Sequence, residues 1–312
     1  MPRFKIIVNP TSGRGMGEKS YPTIESELKK LGLDFGMCRT EAPGHAIRLA
    51  EQAASDGFDV VVAAGGDGTL NEVLNGLMCA SLPGGERPAL GVIPIGRGND
   101  FCYGIDVPND IETVCQLLAS GETRPIDIGF VKGGDYPEGC YFGNGVGIGF
   151  DAVVGFEALK LERLGGFPSY IVAALKTILL YYQAPPVQIE VDGLTSTQPA
   201  LMVSVMNGRR LGGGFMMAPE GSMDDGQLDL CIAGEVSRLG ILALIPRFMM
   251  GTQAGHQAIT TGRAAAIKVT ALQGSLPAHC DGETLCTAGQ ELTISILPKA
   301  LQIIGTSQEE TR

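Results

Sequence analysis

A doubly wound α/β domain followed by a mostly antiparallel, β-sandwich-like domain is the fold class that the sequence predicts, and three observations predict it. The chain has 312 residues, more than the roughly 250 to 300 at which a single hydrophobic core stops growing, so two compact units are expected. The first 128 residues alternate short buried runs with helix-spaced runs, as an open, mostly parallel sheet requires. Beyond Ile126-Asp127-Ile128-Gly129 the pattern turns strand-rich. The expected division is residues 1–128 for the α/β domain, 129–298 for the β-rich domain, and 299–312 for a return strand and tail.

Taken in order, Phe4 to Val8 reads as a buried strand, and Ser20 to Leu31 carries helical spacing at Ile24, Leu28 and Leu31. A strand over Leu33 to Arg39, a helix over Gly44 to Ala54 and a strand over Val60 to Ala64 follow. Thr69 to Leu77 makes the next helix and Leu90 to Pro94 the next strand. In the second half the strand candidates are Tyr141 to Asn144, Val187 to Val191, Leu201 to Met206, Leu228 to Ile232 and Ala266 to Thr270. One amphipathic helical stretch, Asp151 to Tyr182, interrupts them, with a break at Gly165-Gly166 and Pro168. The last apolar run, Leu301 to Ile304, is expected to return to the first domain, and the tail from Thr306 onward to be disordered.

Charge narrows the partners. A net charge of −11 without a run of Lys and Arg sets nucleic acid aside, because long-range repulsion would oppose binding. It also opposes adsorption of the whole surface on anionic lipid and leaves room only for a local basic patch, so membrane contact should be peripheral and transient. The start lacks a signal peptide's apolar region, and Tyr170 to Tyr182, interrupted by Lys176, falls short of the roughly 20 residues that span a bilayer. A cytoplasmic protein is expected, peripheral at the inner face of the membrane at most. Eight cysteines without a CxxC pair suggest reduced, mostly buried thiols, and His279, Cys280 and Cys286 lack the second ligand pair of a zinc site.

The sharpest chemical feature is Gly65-Gly66-Asp67-Gly68-Thr69-Leu70-Asn71-Glu72, between a buried strand and a helix. Adjacent glycines let a backbone approach phosphate closely, and a helix start offers N–H groups to anionic oxygens. Asp67 in such a turn suits a magnesium ion or its bound water, although a plain glycine-rich turn capped by Asp67 would read the same way. Asn9-Pro10-Thr11-Ser12-Gly13-Arg14-Gly15 and Pro94-Ile95-Gly96-Arg97-Gly98-Asn99-Asp100-Phe101 follow two other strands with hydroxyls, glycines, cations and an acid. Each is an ordinary turn by itself, but three on one sheet edge point to a phosphate site. Two near misses carry no such weight. In Gly13 to Ser20 the P-loop pattern fails at Glu18, and Gly143-Asn144-Gly145-Val146-Gly147-Ile148-Gly149 lacks the spacing of a dinucleotide fingerprint.

Together these elements resemble the bacterial diacylglycerol kinase catalytic-domain family of lipid kinases, from Asn9-Pro10-Thr11-Ser12-Gly13 through Gly65 to Thr69 to Asp281-Gly282-Glu283. The GGDGT element is shared with nicotinamide nucleotide kinases; the PxGxxND element, the Gly145 to Asp151 stretch and the late Asp-Gly-Glu favour lipid kinases. The resemblance implies ATP in a cleft between two domains, magnesium, and a lipid alcohol such as diacylglycerol as acceptor, which places the reaction in phospholipid biosynthesis. It implies that Asn9 to Gly13 line the triphosphate, that Thr40 helps hold the nucleotide, and that Gly66 to Glu72 bind phosphate and magnesium. It further implies Asp100 and Asp127 in a catalytic magnesium network, a structural magnesium at Ser222, Asp225 and Gln227, and Glu283 as general base. Arg14 adds positive charge beside the first loop. Arg97 stands where the family has Thr, and Tyr103 where it often has a base. The rivals are a nicotinamide nucleotide kinase, for which no GSTAY-like segment is found, and a non-catalytic nucleotide- or lipid-binding module. Oligomeric state stays open, with a homodimer as the form to test.

Overall fold

Strand and helix order in the first half follows from the apolar runs. The computed structural model describes residues 1–82, 86–161, 167–180 and 182–305; the expected break at Gly165-Gly166 and the tail from Thr306 lie outside them. The chain divides into two compact units, Met1–Asp127 with Lys299–Arg312, and Ile128–Pro298.

In the first unit the elements are β1 (Arg3–Val8), α1 (Ser12–Lys30), β2 (Asp34–Arg39), α2 (His45–Ser55), β3 (Val60–Gly65), α3 (Asp67–Cys79), β4 (Ala89–Pro94), α4 (Asp100–Gly104), α5 (Ile111–Ser120) and the start of β5 (Thr123–Gly133). The strands lie parallel in the order β2, β1, β3, β4. Every residue of β3 and β4 is buried, which is why these strands read as continuous apolar runs rather than alternating ones. α1 begins earlier than its apolar spacing suggests, but Gly13, Arg14 and Gly15 at its start have φ of 58, 62 and 86°, so the loop expected there is present. Helices α4 and α5 were not anticipated; α5 is capped at Asp110, whose carboxylate accepts the Thr113 N–H at 2.8 Å.

The second unit continues with β6 (Tyr136–Phe142), β7 (Gly145–Gly149), α6 (Phe150–Leu159), α7 (Phe167–Leu180), β8 (Pro186–Val191), β9 (Leu194–Pro199), β10 (Met202–Met206), β11 (Leu228–Ala233), α8 (Arg238–Met250), β12 (Ile259–Ala264), β13 (Ala266–Ala271), β14 (Leu276–Cys280), β15 (Glu283–Gly289) and β16 (Glu291–Ile304). One antiparallel sheet has the order β12, β11, β10, β7, β14, β15. Against it, β16, β13, β8 and β9 run antiparallel, and one apolar cluster fills the space between the layers, including Val146, Ile148, Val205, Val269 and Ile294. The end of β16 pairs in parallel with β4 through Ile303 and Leu90, so the expected return of Leu301 to Ile304 is present.

β7 was not read from sequence as a strand. Its glycines alternate with Val146 and Ile148, which is a period-2 strand signal, and both apolar residues enter the core while the glycine face is closely approached.

Helix pairing in the first unit depends on one small residue. A Cβ at Gly76 of α3 would lie 2.7 Å from Ala50 Cβ of α2 and against the Ile47 carbonyl. Gly76→Ala would gain about 1 kcal/mol of helix propensity, yet overpacking a tight core costs about 1–3 kcal/mol. The clash should win, so the variant is expected to melt below the wild type; calorimetry showing a higher melting temperature would mean that the two helices move apart freely.

Candidate active site

Register builds the first half of the site. Val8 pairs with Arg39 and Ala64, and Gly65 pairs with Pro94, so Asn9, Thr40, Gly66 and Ile95 emerge together at the carboxyl edge of the sheet. The Thr40 N–H bonds the Val8 carbonyl at 2.9 Å. The Asn9 side chain ties two loops: its Nδ2 donates to Thr69 Oγ1 at 2.9 Å, while its Oδ1 accepts from the Thr11 N–H and hydroxyl at 3.1 and 2.9 Å. Gly66 and Gly96 meet backbone to backbone, since a Cβ on Gly96 would lie 2.6 Å from the Gly66 Cα. The three loops expected at one edge are therefore in mutual contact.

Asp67 has a use that the sequence did not show. Its Oδ2 accepts the Asn99 N–H at 2.8 Å, and its Oδ1 accepts those of Asp100 at 2.8 Å and Phe101 at 3.4 Å. Burial pushes this carboxyl above the usual carboxylate range, and the three amides oppose that shift. Asp67 thus clamps the loop after β4 onto the loop after β3. A Cβ on Gly98 would lie 2.9 Å from Asp67 Oδ2 and 3.6 Å from Asp100 Oδ2, so two carboxylates flank one point. Two hard oxygen donors suit magnesium, which keeps waters and takes its remaining ligands from phosphate.

Glu72 faces elsewhere. Its carboxylate accepts the N–H groups of Gly44 and Ala46 at 2.8 and 3.0 Å and serves the open start of α2; the expectation that it joins Gly66 to Asn71 at phosphate and magnesium is corrected accordingly. Asp127 is fully buried and accepts the Lys299 N–H at 2.8 Å, which fixes the returning chain at a residue with φ of 52°. Arg14 and Arg97 are both exposed on the loops of this edge.

Glu283 and its turn belong to the second unit. Cys280 pairs with Glu283 across a two-residue hairpin in which Asp281 and Gly282 have φ of 49 and 87°, the type I′ geometry that Asp-Gly favours. Asp281 is buried, and its carboxylate accepts three successive amides: Gly143 at 2.8 Å, Asn144 at 3.0 Å and Gly145 at 2.8 Å. Glu283 is exposed at the start of β15.

At Ser222, Asp225 and Gln227 the turn is held by its own contacts. Asp225 accepts the Gln227 N–H at 3.0 Å and lies 3.5 Å from the Arg263 guanidinium, and Ser222 donates to Asp224. Asp225 therefore has one amide and one guanidinium as partners within the turn. Among the described residues no group of three or more His, Cys, Asp or Glu gathers around a metal-sized space, at His279 and Cys280 included. All eight cysteines are free thiols.

One constellation was missed. Asp151, at the start of α6, accepts the Ser204 hydroxyl at 2.8 Å, and a Cβ on Gly147 would lie 2.5 Å from its Oδ2 with His279 Nε2 also in contact. Burial pushes Asp151 up to about 7, and the Ser204 bond opposes this; burial pulls His279 down to about 4. The GxGxGxD spacing carried a signal, since small residues on one strand face leave room for polar groups packed over it.

Comparison with known proteins bears on what this arrangement is. Residues 3–131 match the diacylglycerol kinase catalytic domain and residues 144–305 the YegS C-terminal NAD kinase beta sandwich-like domain. A diacylglycerol kinase of Bacillus subtilis (strain 168) is 32% identical over 285 residues, which is 91% of this chain and 90% of that protein. The crystal structure of a diacylglycerol kinase from Bacillus anthracis (strain Sterne) superposes with a TM-score of 0.74 at 24% identity, covering 98% of this chain and 97% of that one. Yeast NADH kinase complexed with NADH shares the fold more distantly, with a TM-score of 0.52 at 10% identity over 98% of this chain and 84% of that one. The fold and the loop edge define a two-domain kinase of this architecture. Within that class the chain belongs to the diacylglycerol kinase family and is a lipid kinase.

The Asp151 carboxyl gives a pH test. Its ordinary value is 3.8 and its folded value about 7, so the native state keeps a proton that the unfolded chain has released. The stability this contributes is complete below pH ~4 and lost as pH rises to ~7, on the order of a few kcal/mol. Asp151→Asn should flatten that loss and melt above the wild type at pH 8; equal pH slopes for both proteins in urea titrations would remove Asp151 as the source.

Proposed function

We propose that the chain transfers the γ-phosphoryl group of ATP to a hydroxyl of a diacylglycerol-like lipid, with magnesium, at a cytoplasmic membrane surface. The observation that carries this reading is the contact of three phosphate-suited loops at one sheet edge, in a member of the diacylglycerol kinase family. Asn9, Pro10, Thr11, Ser12 and Gly13 are proposed to cradle the triphosphate with Gly66, Gly68, Thr69, Leu70 and Asn71. Thr40 joins them at the same edge, and Arg14 and Arg97 add charge. Asp67 and Asp100 are the residues that would hold magnesium, and Asp127 would act behind them. When bound, the ion would neutralise charge on the phosphate oxygens.

The rest of the chemistry is positioning and proton transfer. As the lipid hydroxyl oxygen bonds the γ-phosphorus, the bond to ADP breaks and the hydroxyl proton passes to a base. Glu283 is proposed as that base. Asp281, the neighbouring acid, is the poorer proton acceptor, because three amides favour its charged form. The NADH kinase likeness supports a second reading, phosphorylation of a nicotinamide nucleotide, at the level of fold alone.

Labelled ATP incubated with diacylglycerol in mixed micelles, or with nicotinamide dinucleotide, separates the two by whether label enters the organic phase. Glu283→Gln should lower turnover about 10² to 10⁴ fold, the scale of general base catalysis, with ATP affinity and melting temperature near wild type. Asp281→Asn should instead melt lower, since an amide N–H₂ placed against backbone N–H groups cannot replace the acceptor. Near-normal turnover in Glu283→Gln would move the base elsewhere.

A further inference from the structure

Helix α3 presents its two acids to different neighbours. At 3.6 residues per turn, Glu72 stands about 140° round the helix from Asp67 and about 7.5 Å further along it. Asp67 turns to the loop after β4. Glu72 turns to the loop after β2: its Oε1 accepts the Gly44 N–H at 2.8 Å and its Oε2 the Ala46 N–H at 3.0 Å. One turn on, Gly76 shares the stripe of Glu72 and lies against Ile47 and Ala50 of α2. The two helices therefore meet along this stripe, and Glu72 stands at its loop end.

The loop from Thr40 to Gly44 has its backbone tied at both ends. The Thr40 N–H bonds the Val8 carbonyl at 2.9 Å, the Glu41 N–H bonds His45 Nδ1 at 3.1 Å, and the His45 N–H bonds the Ala42 carbonyl at 3.1 Å. Gly44 turns with φ of 77° into α2, whose first turn holds no acid and whose cap residue makes no side-chain bond. Glu72 supplies both from the neighbouring helix. Left outward are the exposed Glu41, Ala42 and Pro43, beside Thr40 at the strand end. β2 is the edge strand in the order β2, β1, β3, β4. Strands about 4.8 Å apart put this loop next to the one after β1 and about 10 Å from the one after β3. With a triphosphate on those two loops, it is within reach of the attached sugar and base.

We infer that Glu72 is a positioning residue for the nucleotide: it holds the 40–44 loop against the nucleoside end of ATP and touches neither phosphate nor magnesium. The inference rests on the proposed ATP site and adds to it how one helix serves both ends of the ligand. The first turn of α3 meets phosphate, and Glu72, a turn later, sets the loop that meets the nucleoside. A plain cap for α2 is the competing account. A lost cap lowers stability whatever the ligand, whereas a displaced loop lowers affinity for the nucleoside and not for the phosphates.

Calorimetric titration of the full chain, in magnesium, with ATP or with inorganic tripolyphosphate tests it. Glu72→Ala, which leaves both amides without their acceptor, should bind ATP roughly tenfold more weakly, and Glu72→Gln, which keeps one oxygen, about threefold. Tripolyphosphate should bind the wild type and both variants alike. In the diacylglycerol assay the variants should raise KM for ATP by similar factors with kcat within about twofold, the pattern of a contact equal in ground and transition states. Gly44→Ala offers a second route, since a Cβ there meets open space while the φ of 77° strains it. It keeps Glu72 and should weaken ATP in the same selective way. Tripolyphosphate weakened in step with ATP would put Glu72 at the phosphates and overturn the inference. So would wild-type ATP affinity in Glu72→Ala with a lower melting temperature, which leaves only the cap. A wild type that binds ATP but phosphorylates no lipid fails the kinase reading and not this one; one that binds no ATP overturns both.

Discussion

The carboxylate of Asp67 holds together the loop edge on which the nucleotide reading depends. Three backbone N–H groups from residues 99, 100 and 101 converge on it, the two at 2.8 Å being charge-assisted bonds worth about 1.5–3 kcal/mol each. Burial works against the charge and the amides work for it. The result is a loop after β4 that cannot drift from the loop after β3, with Asp100 delivered beside Asp67. Asn9 does the same for the loop after β1 through Thr69. Preorganisation of this kind is what phosphoryl transfer asks of a protein, because charge has to be met where it develops.

The second unit repeats the device. Asp281 gathers the amides of 143, 144 and 145, and the tight turn that follows presents Glu283 at its far side. In each unit a buried aspartate that binds three backbone amides stands beside a second acid the chemistry would use, Asp100 beside Asp67 in one and Glu283 beside Asp281 in the other. At either aspartate an isosteric Asn would replace an acceptor with a donor facing donors.

Much of this was legible in the sequence, and the failures have physical causes. The buried strands over Phe4 to Val8, Val60 to Ala64 and Leu90 to Pro94 announced themselves because parallel strands covered on both faces are continuous apolar runs. The three loops followed from the glycines after them. The partners of Asp67, Glu72 and Asp281 did not, since they lie 26 to 138 residues away and only the folded register brings them near. β7 was missed because alternate glycines hide a strand's period, while β9 and β12 are short polar edge strands with little apolar signal. The stretch from Asp151 to Tyr182 was recognisably helical, but helical spacing alone cannot say which apolar residues are buried when both faces are apolar.

That last ambiguity bears on how an acidic chain could meet an acceptor held in a lipid surface, as the proposed reaction would require. At physiological ionic strength the field of distant surface charges fades over about 8 Å, so most of the net charge of −11 would be screened from a bilayer that only one face approached. Cations at contact are not screened in the same way, and each adds about 1 kcal/mol near an anionic surface. Apolar side chains add their own transfer energy once they pass the headgroups. The inward turn of Glu157 matters as much as the outward turn of the lysines: buried and held by both, it removes the acid that would otherwise face lipid phosphate, and its carboxyl sits below the usual range because Lys160 and Lys176 donate to it. A local cationic, apolar face on a chain of net negative charge would favour contact through that face over contact through the rest of the surface.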